Sequence, residues 1–202
     1  MGFDSIAPVY DLLSRAVYGK SIVAAQQYFL KYIPEGSNVL IVGGGTGWII
    51  DAIFETNKTC SIIYMEASQK MLQKAKNRIA VNDQSRIEFL LQSDIPSDGV
   101  YDVVITNFLL DLFPKQKLTQ ILKQLKDRMK YDGRWIVTDF VDGGKYWQRL
   151  LLWMMYWFFK RVSKIETTKL PPWQLLLKET GMRETEVKYF YAGFIKTALY
   201  QK

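Results

Sequence analysis

Residues Val39 to Trp48, Val-Leu-Ile-Val-Gly-Gly-Gly-Thr-Gly-Trp, form an apolar run that stops abruptly in glycine and passes into Ile49-Ile50-Asp51-Ala52-Ile53-Phe54. Apolar residues in unbroken succession, rich in valine and isoleucine, suit a strand buried on both faces, as in a parallel sheet covered by helices. The alternating Gly43, Gly45 and Gly47 let the chain turn sharply and approach a ligand without a β-carbon in the way, and the helix that follows is expected to present free amide groups. Such a turn can hold a polar cofactor. A dinucleotide site requires G-x-G-x-x-G, whereas Trp48 occupies the last glycine position here, so the pattern is G-x-G-x-G.

The rest of the chain alternates strand and helix. Cys60 to Met65 reads as a second buried strand ending at Glu66. Glu66 follows the glycine turn at roughly 20 residues, the separation at which an acidic side chain reaches a ribose. A carboxylate suits a diol because each oxygen can accept one hydroxyl proton, although a Glu after a strand also serves as a helix cap, a task for which Ser68 competes. Ser68 to Val81 is amphipathic, with Met71, Leu72, Ala75 and Ile79 at helical spacing. Arg86 to Leu91 and Tyr101 to Asn107 read as the third and fourth strands, and Lys115 to Lys130 as a helix stopped by Asp132-Gly133. Arg134 to Phe140 follows as a fifth strand. Met182 to Tyr191 and Phe194 to Tyr200, joined by Ala192-Gly193, read as a closing hairpin. This alternation argues for an α/β fold with a parallel sheet and helices on both sides.

The Gly43–Gly47 run is similar to the first motif of the class I, Rossmann-like S-adenosylmethionine-dependent methyltransferases. Phe3-Asp4-x-x-Ala7-x-x-Tyr10-Asp11 resembles the lid segment of the small-molecule members, and Tyr101-Asp-x-Val-x-x-Asn107-x-x-Leu-x-x-Phe-Pro114 resembles their fourth motif. The resemblance covers nearly the whole chain. It implies one domain over residues 1–202, a three-layer Rossmann-like sandwich on a seven-stranded, mostly parallel sheet with an antiparallel last strand. A helical lid over 1–36 and a helical substrate-side insertion over 143–178 complete it. The implied cofactor is S-adenosyl-L-methionine. By resemblance, Gly43, Gly44, Gly45, Thr46 and Gly47 wrap its methionine and ribose, and Glu66, with Ala67 and Met71 nearby, holds the ribose. Asp94 meets the adenine amino group and Ile95 its ring, while Asn107, Phe108 and Tyr10 approach the methionine end. Tyr18, Asp111, Asp139, Trp147 and Trp157 are the candidate acceptor-binding residues, with Asp111 the candidate general base. One departure stands out: the family usually carries an acidic residue two positions before the first glycine, and Ile41 is there instead.

Composition narrows the chemistry. The 202 residues are 49% hydrophobic, enough for one domain with a sizeable core. Cys60 is the only cysteine, which points to a reducing, cytoplasmic setting. Histidine is absent, excluding His-based metal sites, Ser-His triads and histidine bases. The net charge of +7 could favour an anionic partner, yet the lysines are spread over solvated helix faces, which argues against a nucleic-acid partner. Leu150 to Phe159 is wholly apolar but far short of the roughly 20 residues that span a bilayer. Its aromatic surface should line a pocket, form a dimer seam or touch a membrane between its basic ends. The expected activity is methyl transfer to a small, partly apolar acceptor. The alternatives are an RNA or protein methyltransferase, for which no Asn-Pro-Pro-Tyr type motif is present, and a non-catalytic cofactor-binding or assembly protein of the same fold.

Overall fold

The computed structural model describes Asp4, residues 17–163 and residues 165–202. Tyr10 lies outside the described residues, as do residues 1–3 and 5–16 of the expected lid. The sheet has seven strands: β1 (Asn38–Val42), β2 (Ser61–Glu66), β3 (Ile87–Leu91), β4 (Tyr101–Asn107), β5 (Met129–Phe140), β6 (Arg183–Phe190) and β7 (Ile195–Gln201). Their order is β3-β2-β1-β4-β5-β7-β6. The first five strands are parallel, and β7 runs antiparallel to both β5 and β6.

The apolar runs are strands because both sheet faces are covered. Along β1, Leu40 and Val42 point into one core, and Val39 and Ile41 into the other. The first core is closed by α4 (Lys115–Asp127), through Leu118, Leu122 and Leu125, and by α6 (Trp173–Glu179), through Trp173, Leu176 and Leu177. α2 (Trp48–Thr56) closes the second through Ile49, Ile50 and Ile53, with α3 (Gln69–Lys76) adding Leu72 and Ala75. β6, at the sheet's edge, exposes nearly every side chain; its charged residues discourage pairing with a further strand. α1 (Ser21–Gln27) packs near the hairpin, and α5 (Tyr146–Val162) lies over the C-terminal ends of the central strands.

Two boundaries differ from the sequence reading. α3 stops at Lys76, with Ser68 as its cap, and residues 81–86 form a separate helical turn. α4 ends at Asp127, and β5 begins at Met129, well before Asp132-Gly133. Met129 is buried at helical spacing from Leu125 but pairs with Tyr101, whose N–H donates to Arg128 O at 2.8 Å. Strand pairing claims these residues because β4 already offers a partner edge. α6, expected in the region where the family builds its substrate wall, instead fills the core, with Trp173 Nε1 donating to Phe140 O at 2.9 Å.

Candidate active site

The carboxyl ends of β1, β2, β3 and β4 open onto one cleft, the position where open α/β sheets bind ligands. Its walls include Gly43, Gly45, Glu66, Ala67, Met71, Ile95, Asn107 and Phe108. The structure therefore brings together residues that the sequence separates by 65 positions. Gly44, Thr46 and Gly47 do not line it. The two glycines shape the turn.

A β-carbon on Gly44 would run into the ring of Tyr64, which is buried and whose hydroxyl donates to Gly45 O at 3.1 Å. At Gly47, with φ +87°, it would lie 2.8 Å from the backbone of Ala75, so this glycine lets α2 start against α3. Gly45, with φ +66°, has open space where a β-carbon would project. The amides at the start of the turn are engaged: Gly43 and Gly44 donate to Met65 O, and Gly45 donates to Glu66 Oε2 at 2.8 Å. Gly44→Ala should consequently cost about 1–3 kcal/mol of stability, the usual penalty of overpacking. Urea unfolding should show the lowered midpoint, and cofactor affinity should fall with it.

Glu66 is buried at the end of β2, its Oε1 accepting from Ser68 N–H at 2.7 Å and its Oε2 from Gly45 N–H. Burial raises its pKa, and the two backbone donors oppose that rise. Both oxygens are thus fixed in place, each with a lone pair left for a hydroxyl. Asn107 Oδ1 is buried without a hydrogen-bond partner among the described residues. A buried orphan acceptor on a cleft wall is a place for a cationic donor. Phe108, the next residue, has φ +51°, a left-handed backbone that costs a non-glycine residue about 1–2 kcal/mol. Its N–H donates to Thr138 O at 2.7 Å, holding the turn in that conformation. Asp94 is exposed and outside the cleft lining, and its carbonyl accepts from Gln92 Nε2 at 2.9 Å. Gln92, Ser93, Leu109, Leu112 and Phe113 line the cleft unforeseen. The leucines and Phe113 gave no signal, since an apolar residue at a strand end reads the same whether it meets core or ligand.

Phe108 also lines a second, apolar chamber of about 460 Å³, with Tyr18, Ile22, Phe140, Met155 and Trp157 among its walls. Tyr18 is nearly buried there, its hydroxyl 3.9 Å from Met155 Sδ. Trp147 lies outside the chamber, packed edge-on against Tyr191 and also against Phe194. Asp111 and Asp139 line neither cavity. They form a fully buried carboxyl pair behind the site. Asp139 Oδ2 accepts from Leu110 N–H at 2.9 Å and Asp111 N–H at 3.3 Å, and Oδ1 from Phe140 N–H at 2.8 Å. Burial pushes Asp139 up to about 7, opposed by these amides, while burial and the adjacent Asp139 hold Asp111 far above the carboxylate range. Asp111 therefore keeps its proton. Tyr156 covers the pair, its hydroxyl donating to Asp111 O at 3.3 Å.

A cleft at the strand ends, a buried carboxylate at the end of β2 and an adjoining apolar chamber place the candidate site where doubly wound α/β folds bind their ligands. Residues 40–135 match the family model described as "Methyltransferase domain". The match over residues 40–135 and the seven-stranded sheet with its antiparallel β7 give the chain the fold of the S-adenosylmethionine-dependent methyltransferases. No curated protein sequence matches it. Among solved structures it is similar to the mitomycin 7-O-methyltransferase MmcR, with a TM-score of 0.73 and 18% identity over 100% of this chain and 61% of that one. A SAM-dependent methyltransferase from Aquifex aeolicus is similar with a TM-score of 0.60 and 17% identity, covering 93% of this chain and 92% of that one. Human N-acetylserotonin methyltransferase in complex with SAM gives 0.66 and 18%, covering 93% of this chain and 52% of that one. The chain thus spans only about half to three-fifths of MmcR and of the human enzyme.

Proposed function

We propose that the protein transfers a methyl group from S-adenosylmethionine to a small, partly apolar acceptor held in the aromatic chamber. The observation that carries this reading is Phe108, a strained residue that lines both the cofactor cleft and the chamber. Strain of this kind persists where the surrounding structure enforces it, and it collects at functional sites. When bound, the cofactor supplies a methyl group on a cationic sulfur that becomes neutral on departure.

The protein's own contribution is placement. Glu66 would hold the ribose hydroxyls, Asn107 Oδ1 would accept from the cofactor's ammonium in place of the acidic residue that Ile41 replaces, and Ile95 would flank the base. Met71 and Ala67 close the wall between them. Tyr18, Phe108, Phe140 and Trp157 orient the acceptor and exclude water, which supplies the proximity that group transfer requires. No proton acceptor lines the chamber among the described residues, and Asp111 is buried in its pair away from it. An acceptor that is already a nucleophile, such as an ionised phenol or a neutral amine, fits this arrangement better than an alcohol. O-methyl transfer by MmcR, as its name states, is compatible with that chemistry.

Isothermal titration with S-adenosylhomocysteine should show saturable binding to one site per chain. A panel of apolar phenols and amines, incubated with methyl-labelled cofactor, should then yield labelled product. Folded protein that gives no heat with the homocysteine product would overturn the reading.

A further inference from the structure

Helix α5 is unusual in exposing its apolar residues. Tyr146, Leu150, Trp153, Met154 and Trp157 are 91%, 58%, 63%, 48% and 51% exposed. Their spacing places them on one face, opposite the buried Gln148, Leu152 and Tyr156. The helix that ought to show solvent a polar face shows it tryptophan and leucine. A contiguous patch of this kind marks an interaction surface.

Charge identifies the partner. Between Asp142 and Ser163 the cations are Lys145, Arg149, Lys160 and Arg161, and the one acid is Asp142, which pairs with Arg149 at 3.2 Å. The cations sit at the two ends of the apolar stripe. Arg161 lies over the Trp157 ring at 4.6 Å, a long side chain laid along apolar surface with its charge at the margin. An apolar stripe bordered by cations and rimmed with tryptophan is the pattern of a helix lying in the boundary between lipid headgroups and acyl chains. No helix among the described residues is long and apolar enough to cross a membrane. The chain's charge of +7 adds attraction to an anionic surface.

Trp153, Met154 and Trp157 belong both to this stripe and to the chamber wall. One wall of the chamber is therefore made of residues that would meet the bilayer. We propose that α5 docks the protein on an anionic lipid surface with the stripe immersed in the headgroup boundary. Resting on the methyl-transfer reading above, the acceptor is then a lipophilic molecule that enters the chamber from the bilayer.

The test uses sedimentation with sucrose-loaded vesicles of phosphatidylglycerol and phosphatidylcholine, against vesicles of phosphatidylcholine alone. The full chain should bind the anionic vesicles about tenfold or more tightly, with binding weakened by salt and tryptophan emission shifted to the blue. Leu150→Glu, at a position outside both cavities, should reduce vesicle binding about tenfold or more. It should leave S-adenosylhomocysteine binding unchanged. Lys160→Glu with Arg161→Glu should abolish the preference for anionic vesicles. Equal binding of both vesicle types, an unaffected Leu150→Glu variant, or a stable dimer in solution that Leu150→Glu dissociates would overturn the proposal. Loss of S-adenosylhomocysteine binding by the unmodified chain would instead overturn the function and leave the docking surface standing.

Discussion

Replacing Glu66 by glutamine should weaken S-adenosylhomocysteine binding about 100-fold or more, because two hydrogen bonds to a charged acceptor are each worth roughly 1.5–3 kcal/mol. The substitution is nearly the same size, so volume does not enter. What changes is polarity at one atom. Both carboxylate oxygens already accept a backbone N–H, from Ser68 at 2.7 Å and from Gly45 at 2.8 Å. A glutamine amide nitrogen would have to face one of those donors, turning the side chain and releasing the Gly45 turn. Titration calorimetry reads the affinity, and circular dichroism confirms that the variant is folded. Unchanged affinity in a folded variant would remove Glu66 from the cofactor site.

The second large effect lies behind the site, in the carboxyl pair. Asp139→Asn should cost about 2–4 kcal/mol of stability, whereas Asp111→Asn should cost less than about 1 kcal/mol. Asp139 accepts at both oxygens, from Leu110, Asp111 and Phe140, so an amide nitrogen at either position sets donor against donor. Burial and the adjacent Asp139 hold the Asp111 pKa well above the carboxylate range, so a neutral asparagine there keeps the charge state of the pair. Urea unfolding of the two variants tests the asymmetry; equal losses would mean that the pair shares its proton differently.

The same pair sets a pH dependence. Asp139 is raised to about 7 in the fold, against roughly 3.9 in an unfolded chain, so the native state holds the proton more tightly. Its stabilising contribution is complete below pH 4 and is lost as pH rises through 7. The stability difference between the wild-type protein and Asp139→Asn should therefore shrink across that interval. A difference that stays level from pH 4 to 8 would show that Asp139 remains ionised throughout.

Much of the sheet was legible because a parallel strand buried on both faces needs apolar residues at every position. Val39–Val42 and Val103–Ile105 have no other comfortable place in water. The end of α4 was not legible. Met129 continues the helical spacing of Leu125, and only its pairing with Tyr101 makes it a strand residue. At the site, Glu66 stood out because an acid closing an apolar run has a cost that must be justified. Asp94 had the same appearance, yet its side chain is exposed while Ile95 lines the cleft, since the direction of a loop side chain is set by contacts that sequence does not record. Trp147 and Trp157 were equivalent on paper as well. One packs on Tyr191 and Phe194, the other on the chamber.

The sequence by itself determined the alternation of strand and helix, the glycine turn, the acid at the end of β2 and the absence of any histidine chemistry. Those depend on local patterning and on residue type. Tertiary structure alone decided that Gly44 exists for the Tyr64 ring, that Asp111 and Asp139 face each other out of reach of the chamber, and that Phe108 joins two cavities. Each of these is a contact between segments far apart in the chain, and its energy comes from exclusion of water and close packing, which no single segment carries within itself.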